Sequence, residues 1–148
     1  MVDADACPVK SEVAAAAMHF PVEVWMVCSY KHELPILSGV NNVRVDASDQ
    51  SADLYIANRL APSDVVITGD YGLATIALAK RAIVLSPRGR EYTNANIDRL
   101  LEERHISAKT RRSGGRTKGP KPFTDEDRDR FLQVLTKVLT VLQENAPI

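Results

Sequence analysis

Short apolar runs rich in β-branched residues recur along the chain and alternate with stretches that favour helix. The runs predict strands at residues 22–28, 43–45, 64–68 and 82–85. Helices are predicted between and after them, at residues 9–19, 51–60, 71–81 and 94–104. This alternation predicts an α/β fold with a doubly wound, mostly parallel central sheet.

A further, very short strand is predicted before these runs. Only Met1 and Val2 stand before Asp3. Two residues are too few for a strand that sits centrally in a sheet. We therefore expect either a stub of a strand or a protein whose true start lies upstream of Met1.

The end of the chain divides into a basic segment and a final helix. Residues 107–122 hold six Lys and Arg, several Gly and Pro and no acid, which predicts a loop. Thr124 and the acids that follow it predict the start of a C-terminal helix over residues 124–144. The apolar stripe of this helix most simply packs on the sheet, although it could also serve a homodimer.

Composition limits the class of protein. A chain of 148 residues with 45% hydrophobic residues is the size of one ordinary globular domain. No apolar run is long enough to span a bilayer, and the acidic start lacks the basic region of a signal peptide. The two cysteines form no disulfide framework, so we expect a cytoplasmic protein.

Charge is distributed unevenly, although the formal net charge is zero. Residues 1–70 hold 4 Lys and Arg against 10 Asp and Glu. Residues 86–121 hold 10 Lys and Arg against 4 Asp and Glu. Carboxylates suit metal ions and cations suit phosphates, so the imbalance is compatible with a nuclease, and an ordinary soluble protein can show it by chance.

Aspartates follow two of the predicted strands. Asp3 and Asp5 come directly after the first strand, and Asp70 follows the run at residues 64–68. The carboxyl ends of parallel strands meet at one sheet edge, so we expect these three aspartates around one cleft there. Gathered carboxylates repel one another, and Mg²⁺ or Mn²⁺ would remove that conflict. For any one of these aspartates taken alone, a turn residue or a helix N-cap is the better explanation, whereas the three together favour a site.

A second acidic group lies in the middle of the chain at Asp46, Asp49 and Asp53. For Asp46 and Asp49 a turn or helix cap explains the residue better than a site does. For Asp53, in a predicted helix, a solvated acid and a place at the rim of the cleft are equally compatible with the sequence.

Five blocks of sequence resemble the YaiI/YqxD family of bacterial proteins. They are VDADACPVK, DLYIANRL, VVITGDYGLA, VLSPRGREYT and RTKGPKPFTDEDR, and they cover nearly the whole chain. The resemblance implies a single PIN-like domain over residues 1–148, a three-layer α/β/α sandwich with an additional C-terminal helix. PIN-like proteins include Mg²⁺- or Mn²⁺-dependent ribonucleases. By this resemblance Asp3, Asp53 and Asp70 are metal ligands and Asp5 is an additional catalytic acid.

On this interpretation the substrate is single-stranded RNA or another phosphorylated molecule. The phosphates would be held by basic residues at Arg88, Arg90, Arg111, Arg112, Arg116 and Lys118. Two alternatives stay open. Asp3-x-Asp5 after a strand also resembles the opening motif of haloacid-dehalogenase-type phosphatases, and the basic segment alone could belong to a nucleic-acid-binding module without catalysis.

Overall fold

The computed structural model describes residues 1–29, 34–46, 51–115 and 122–145. Its strands are β1 (Val2–Asp3), β2 (Val24–Ser29), β3 (Val40–Val45), β4 (Val65–Ile67), β5 (Ile83–Leu85) and β6 (Glu91–Tyr92). Its helices are α1 (Lys10–Ala17), α2 (Ala52–Arg59), α3 (Tyr71–Ala79), α4 (Asn94–Arg112) and α5 (Asp125–Asn145). A short 3₁₀ helix at Ala4–Ala6 follows β1. Within the described ranges, no helix has the length and apolar character needed to cross a membrane.

The strands form one sheet in the order β3-β2-β1-β4-β5-β6. All neighbours pair in parallel except β5 and β6, which are antiparallel. From β1 the chain adds β2 and β3 on one side and then crosses to add β4 on the other. The order therefore reverses between β1 and β4, which is where open α/β sheets place their ligands.

Both faces of the sheet are covered by helices, and alternate residues of a strand point to opposite faces. In β2, Met26 and Cys28 pack with α1 and α5, whereas Val27 packs with α2, α3 and α4. The same alternation separates Val66 from Ile67 in β4. The sheet is thus the middle layer of three, and its central strands are apolar on both sides, as buried parallel strands are.

The expectation for the first strand is wrong in one respect. β1 is only two residues long, but it lies in the middle of the sheet between β2 and β4. Val2 is paired with Met26 on one side and with Ile67 on the other. A short strand is stable there because both neighbours supply hydrogen bonds and Val2 itself is only 1% exposed.

The predicted loop at residues 107–122 is also wrong over its first part. α4 continues to Arg112 and ends in a Schellman motif, in which the N–H of Gly115 donates to the carbonyl of Thr110 and that of Gly114 to Arg111. Gly114 has φ +83°, which a glycine adopts without strain. The two glycines mark the end of a helix, and the basic residues before them lie where the helix dipole favours cations.

The C-terminal helix packs on the sheet, so its apolar stripe serves the core. Phe131, Leu135 and Leu139 of α5 are buried against α1 and the same sheet face. Phe131 is fully buried. The use of this stripe in the core confirms the simpler of the two expectations for α5.

Candidate functional site

The carboxyl ends of the central strands bring the first aspartates together. Asp3 is the last residue of β1, and Asp70 lies three residues after the end of β4, the strand paired with β1. Both are half-buried. They flank the point where the strand order reverses, so the fold itself places two carboxylates at the edge where α/β proteins bind ligands.

Thr68 links these two aspartates. Its hydroxyl donates to Oδ2 of Asp3 at 3.0 Å and accepts from the backbone N–H of Asp70 at 3.0 Å. The backbone N–H of Thr68 donates to the carbonyl of Leu85 in β5. Thr68 is 1% exposed, so its hydroxyl is a fixed connection between the end of β1 and the start of α3. Sequence reasoning missed this residue, because a threonine after an apolar strand carries no signal of its own.

Asp5 lies on the other side of Asp3. In the 3₁₀ helix, its Oδ1 accepts from the backbone N–H of Ser29 at 2.9 Å and from the Ser29 hydroxyl at 3.3 Å. Ser29 ends β2, so Asp5 ties the turn after β1 to the neighbouring strand. Asp3, Asp5 and Asp70 therefore share one edge of the sheet, over β2, β1 and β4.

The electrostatics of the site centre on Asp3. Burial raises the pKa of the Asp3 carboxyl, and the negative charges of Asp5 and Asp70 raise this pKa further. The hydrogen bonds from Thr68 and from the backbone of Asp5 act in the opposite direction. The ionised form of Asp3 therefore costs free energy in the folded protein, and a nearby cation would reduce that cost.

Asp70 also has a structural role. Its Oδ1 caps α3 by accepting from the backbone N–H groups of Gly72 at 2.7 Å and Leu73 at 3.1 Å. The cap occupies one oxygen of the carboxylate. A carboxylate has two oxygens with several acceptor positions, so capping and ligand binding are compatible at Asp70.

Asp53 is less closely associated with this group. It lies in the first turn of α2, which packs against β1 and β2, and its Oδ1 accepts from the N–H of Leu54. Across the described ranges, no hydrogen bond joins Asp53 to Asp3 or Asp70, and no three His, Cys, Asp or Glu side chains are grouped to hold a metal unaided. Asp46 is exposed after β3, and Asp49 lies outside the described residues.

A cleft of about 790 Å³ adjoins Asp70 on the β5 side. It lies between the β5–β6 turn and the start of α5, and we call it the basic cleft. Its lining is Pro8, Gly69, Tyr71, Ser86, Pro87, Arg88, Gly89, Arg90, Tyr92, Phe123 and Arg130. Among the described residues, this lining contains three arginines and no carboxylates, so the cleft favours an anion.

One carboxylate behind the cleft holds two of these arginines. Asp127 lies 3.1 Å from a guanidinium nitrogen of Arg88 and 3.3 Å from one of Arg130. It also accepts from the backbone N–H of Thr124, and this hydrogen bond lowers the pKa of Asp127, as do the two arginines. Sequence reasoning took Asp127 only as a helix-start acid and missed Arg130, which reaches the cleft only because α5 packs beside the turn.

The predicted phosphate-binding residues fall into three groups. Arg88 and Arg90 line the basic cleft, where Arg90 is exposed and Arg88 is half-buried in its pair with Asp127. Arg111 and Arg112 are exposed in the last turn of α4 and do not line the cleft. Arg116 and Lys118 lie outside the described residues.

A second cavity, of about 460 Å³, lies at the opposite edge of the sheet. It is bounded by the first residues of β2 and β4 and by apolar side chains of α1 and α5 such as Val13 and Leu139. The strand-end aspartates lie at the other edge. We therefore place the candidate site at the carboxyl edge, where charge, hydrogen bonding and a cleft coincide.

Comparison with known proteins adds a family. The profile of a family described as "Uncharacterized BCR, YaiI/YqxD family" matches residues 1–141. The chain belongs to the YaiI/YqxD family. This confirms the resemblance found in the sequence, and the matched residues include the aspartates, the β5–β6 turn and most of α5.

Relatives in this family cover most of the chain. The UPF0178 protein BH1374 of Halalkalibacterium halodurans is 46% identical over 139 residues, covering 94% of this chain and 88% of the relative. A UPF0178 protein of Bacillus velezensis is 49% identical over 140 residues, covering 94% and 83%. No solved structure matches the chain significantly.

Proposed function

We propose that this YaiI/YqxD-family protein is a metal-dependent phosphodiester hydrolase that acts on RNA. The observation that carries the proposal is the adjacency of two opposite features. Asp3, Asp5 and Asp70 meet at the carboxyl edge of β1 and β4, and the basic cleft begins beside Asp70. Metal-dependent hydrolysis of a phosphodiester uses a carboxylate site for the cation, and a positive surface beside it holds the phosphate chain.

The donor set fits Mg²⁺ or Mn²⁺. Mg²⁺ commonly keeps several waters and takes only one or two protein carboxylates together with substrate oxygens. Asp3 and Asp70 would supply such a pair, and Asp53 at the start of α2 is a further candidate ligand. When bound, the ion would polarise a phosphoryl oxygen and lower the pKa of a water molecule.

The chain's own residues then have separate roles. Thr68 fixes the orientation of the Asp3 carboxylate through the 3.0 Å hydrogen bond. Asp5, held by Ser29, keeps a further negative charge beside Asp3 and accepts hydrogen bonds at the end of β2. The cleft arginines hold the phosphodiester chain, and the basic end of α4 extends the positive surface.

The PIN-like resemblance supports the same proposal by analogy. PIN-like ribonucleases gather acids at the carboxyl edge of a parallel sheet, and Asp3 and Asp70 of this chain occupy strand-end positions of that kind. An analogy of fold alone does not assign an activity. The test therefore has to separate a nuclease from a phosphatase and from a binding module.

Asp70→Asn tests the proposal. Asparagine keeps the oxygen that caps α3, so the fold is retained, while one ligand charge is lost. We expect Mn²⁺ affinity, measured by titration calorimetry, and cleavage of a single-stranded oligoribonucleotide each to fall at least about tenfold. Asp98→Asn removes an equal charge from an exposed position of α4 and serves as the control.

The alternatives give different outcomes. Hydrolysis of p-nitrophenyl phosphate without cleavage of the oligoribonucleotide would indicate the phosphatase. Binding of the oligonucleotide that Asp70→Asn leaves unchanged, with no hydrolysis by the wild type, would indicate the non-catalytic module. Either result contradicts the nuclease.

Replacing Arg111 and Arg112 with alanine tests the positive surface on α4. We expect the affinity for single-stranded RNA to fall, and its dependence on salt to become shallower by a log–log slope of about 0.7 for each phosphate that is no longer neutralised. Fluorescence anisotropy at several salt concentrations measures both quantities. An unchanged slope would show that these arginines only complement the helix dipole.

A further inference from the structure

We propose that the basic cleft is a nucleotide subsite, in which Arg90 and Arg130 bind the phosphate of one nucleotide beside the reacting phosphodiester. The inference rests on the proposed function for the identity of the neighbouring reaction. Its own support comes from the construction of the cleft, from its charge and from its size.

Hydrogen bonds to Ser86 hold the β5–β6 turn that carries Arg90. The hydroxyl of Ser86 accepts from the backbone N–H of Arg90 at 3.0 Å and from that of Arg88 at 3.3 Å. The N–H of Ser86 donates to the carbonyl of Arg90 at 2.7 Å. Ser86 is 7% exposed. The backbone of Arg88 and Arg90 is therefore ordered before a ligand binds, and this order reduces the entropic cost of binding.

The opposite wall of the cleft is α5, and it approaches the turn closely. Gly89 stands against the backbone of Arg130 and Phe131, so that a Cβ at Gly89 would lie 2.9 Å from three of their atoms. This approach brings Arg130 into the same cleft as Arg90. The two side chains come from segments 40 residues apart in sequence, and the packing of α5 on the turn places them in one lining.

The three arginines of the cleft differ in their ion pairs with Asp127. Arg88 is occupied by Asp127 and also donates to the carbonyl of Pro122 at 3.4 Å, so it joins the turn to the chain before α5. Arg130 is 58% exposed in its pair with Asp127 at 3.3 Å, and pairs of this kind are weak. Arg90 has no ion pair among the described residues. Arg90 and Arg130 are thus the guanidiniums best able to receive a phosphate.

The size and the remaining lining favour a nucleotide over a bare anion. A volume of about 790 Å³ is in the range of sites for small molecules rather than of grooves for long strands. Tyr71 and Phe123, both half-buried, add aromatic surface next to the arginines, and Tyr92 is buried behind them. The rings of Tyr71 and Tyr92 pack edge to face with centroids 5.7 Å apart. Guanidiniums for a phosphate and aromatic surface for a base together match one nucleotide.

The test measures binding of adenosine 5′-monophosphate to the metal-free protein by titration calorimetry. We expect binding to weaken at least about tenfold in the variant Arg90→Ala/Arg130→Ala, because charge-assisted hydrogen bonds are lost. The control Arg99→Ala removes the same kind of charge from an exposed pair on α4 and should bind within about twofold of wild type. Adenosine, which lacks the phosphate, should bind more weakly than the monophosphate to the wild type.

Two results would overturn the subsite. One is equal affinity of the double variant and the wild type for the monophosphate, and the other is an equal loss in Arg99→Ala. Cleavage of the oligoribonucleotide separates this inference from the proposed function. A protein that loses monophosphate binding in the double variant but cleaves no RNA supports the subsite and contradicts the hydrolase. Cleavage with an unchanged KM in the double variant supports the hydrolase and contradicts the subsite.

Discussion

Replacing Asp3 with asparagine is expected to reduce RNA cleavage strongly and, at the same time, to make the metal-free protein more stable at neutral pH. Burial and the charges of Asp5 and Asp70 disfavour the ionised carboxylate of Asp3. Asparagine removes that charge and keeps an oxygen that accepts from Thr68. Changing even the outer partners of a metal ligand commonly costs roughly 10–100-fold in activity, so we expect a loss of at least about a hundredfold.

The gain in stability should depend on pH in a defined direction. The pKa of Asp3 is raised in the folded state, so the folded protein holds this proton at pH values where the unfolded chain has released it. The contribution of Asp3 to stability therefore falls as pH rises from about 3.9, the ordinary aspartate value, through the raised pKa. The Asp3→Asn variant has no carboxyl that titrates at this position. Its free energy of unfolding should therefore exceed that of the wild type only slightly near about pH 4, and the difference should become constant above the raised pKa.

Thermal unfolding with a chelator present, over a range from about pH 4 to about pH 8, measures this difference. Added Mn²⁺ should raise the Tm of the wild type and leave that of Asp3→Asn almost unchanged, because a ligand stabilises only the state that binds it. Asp98→Asn again controls for the loss of one charge. A variant less stable than wild type at pH 7 would show that ionised Asp3 is an ordinary structural acceptor.

Gly89→Ala is expected to destabilise the protein by about 2–5 kcal/mol. The φ of Gly89 is +85°, a conformation that costs an L-residue roughly 1–2 kcal/mol. The new Cβ would also stand 2.9 Å from backbone atoms of Arg130 and Phe131, and such overpacking typically costs about 1–3 kcal/mol more. Relief of the clash requires α5 to move away from the β5–β6 turn, so the basic cleft should change as well.

Gly114→Ala is a closely matched control. Gly114 has φ +83°, and its added Cβ would meet nothing within 4 Å. It should therefore lose only the conformational part, about 1–2 kcal/mol. Urea unfolding of both variants compares the free energies of unfolding. Equal losses would mean that α5 yields to the new methyl group at little cost.

The sequence predicted well the features that depend on local pattern. The β-branched run at residues 22–28 covers all of β2 except Ser29, the run at 64–68 contains β4, and the acids after Thr124 mark the start of α5. The presence of Asp3 and Asp70 at strand ends followed from the same patterns, because a strand that ends at an aspartate is visible in one segment of sequence.

Features that depend on two distant segments were not predictable. The central position of β1 depends on partners at Met26 and Ile67, and two residues of sequence cannot show that pairing. Arg130 lines the cleft, and Asp127 pairs with Arg88 behind it, only through the packing of α5 beside the turn at residues 86–90. The helical end of α4 was missed for a different reason, since Gly114 and Gly115 suit a helix cap and a loop equally well.

The packing of α5 has a consequence for the order in which the protein can form during synthesis. The sheet face that bears Val2, Met26 and Leu85 is completed by Phe131, Leu135 and Leu139, which the ribosome makes after every strand. Until α5 emerges, the described part of the chain covers that face with α1 and with Leu34 and Leu37 of the β2–β3 connection. The growing chain therefore exposes an apolar surface for most of its synthesis. During this interval the chain is most prone to aggregate and most able to bind chaperones.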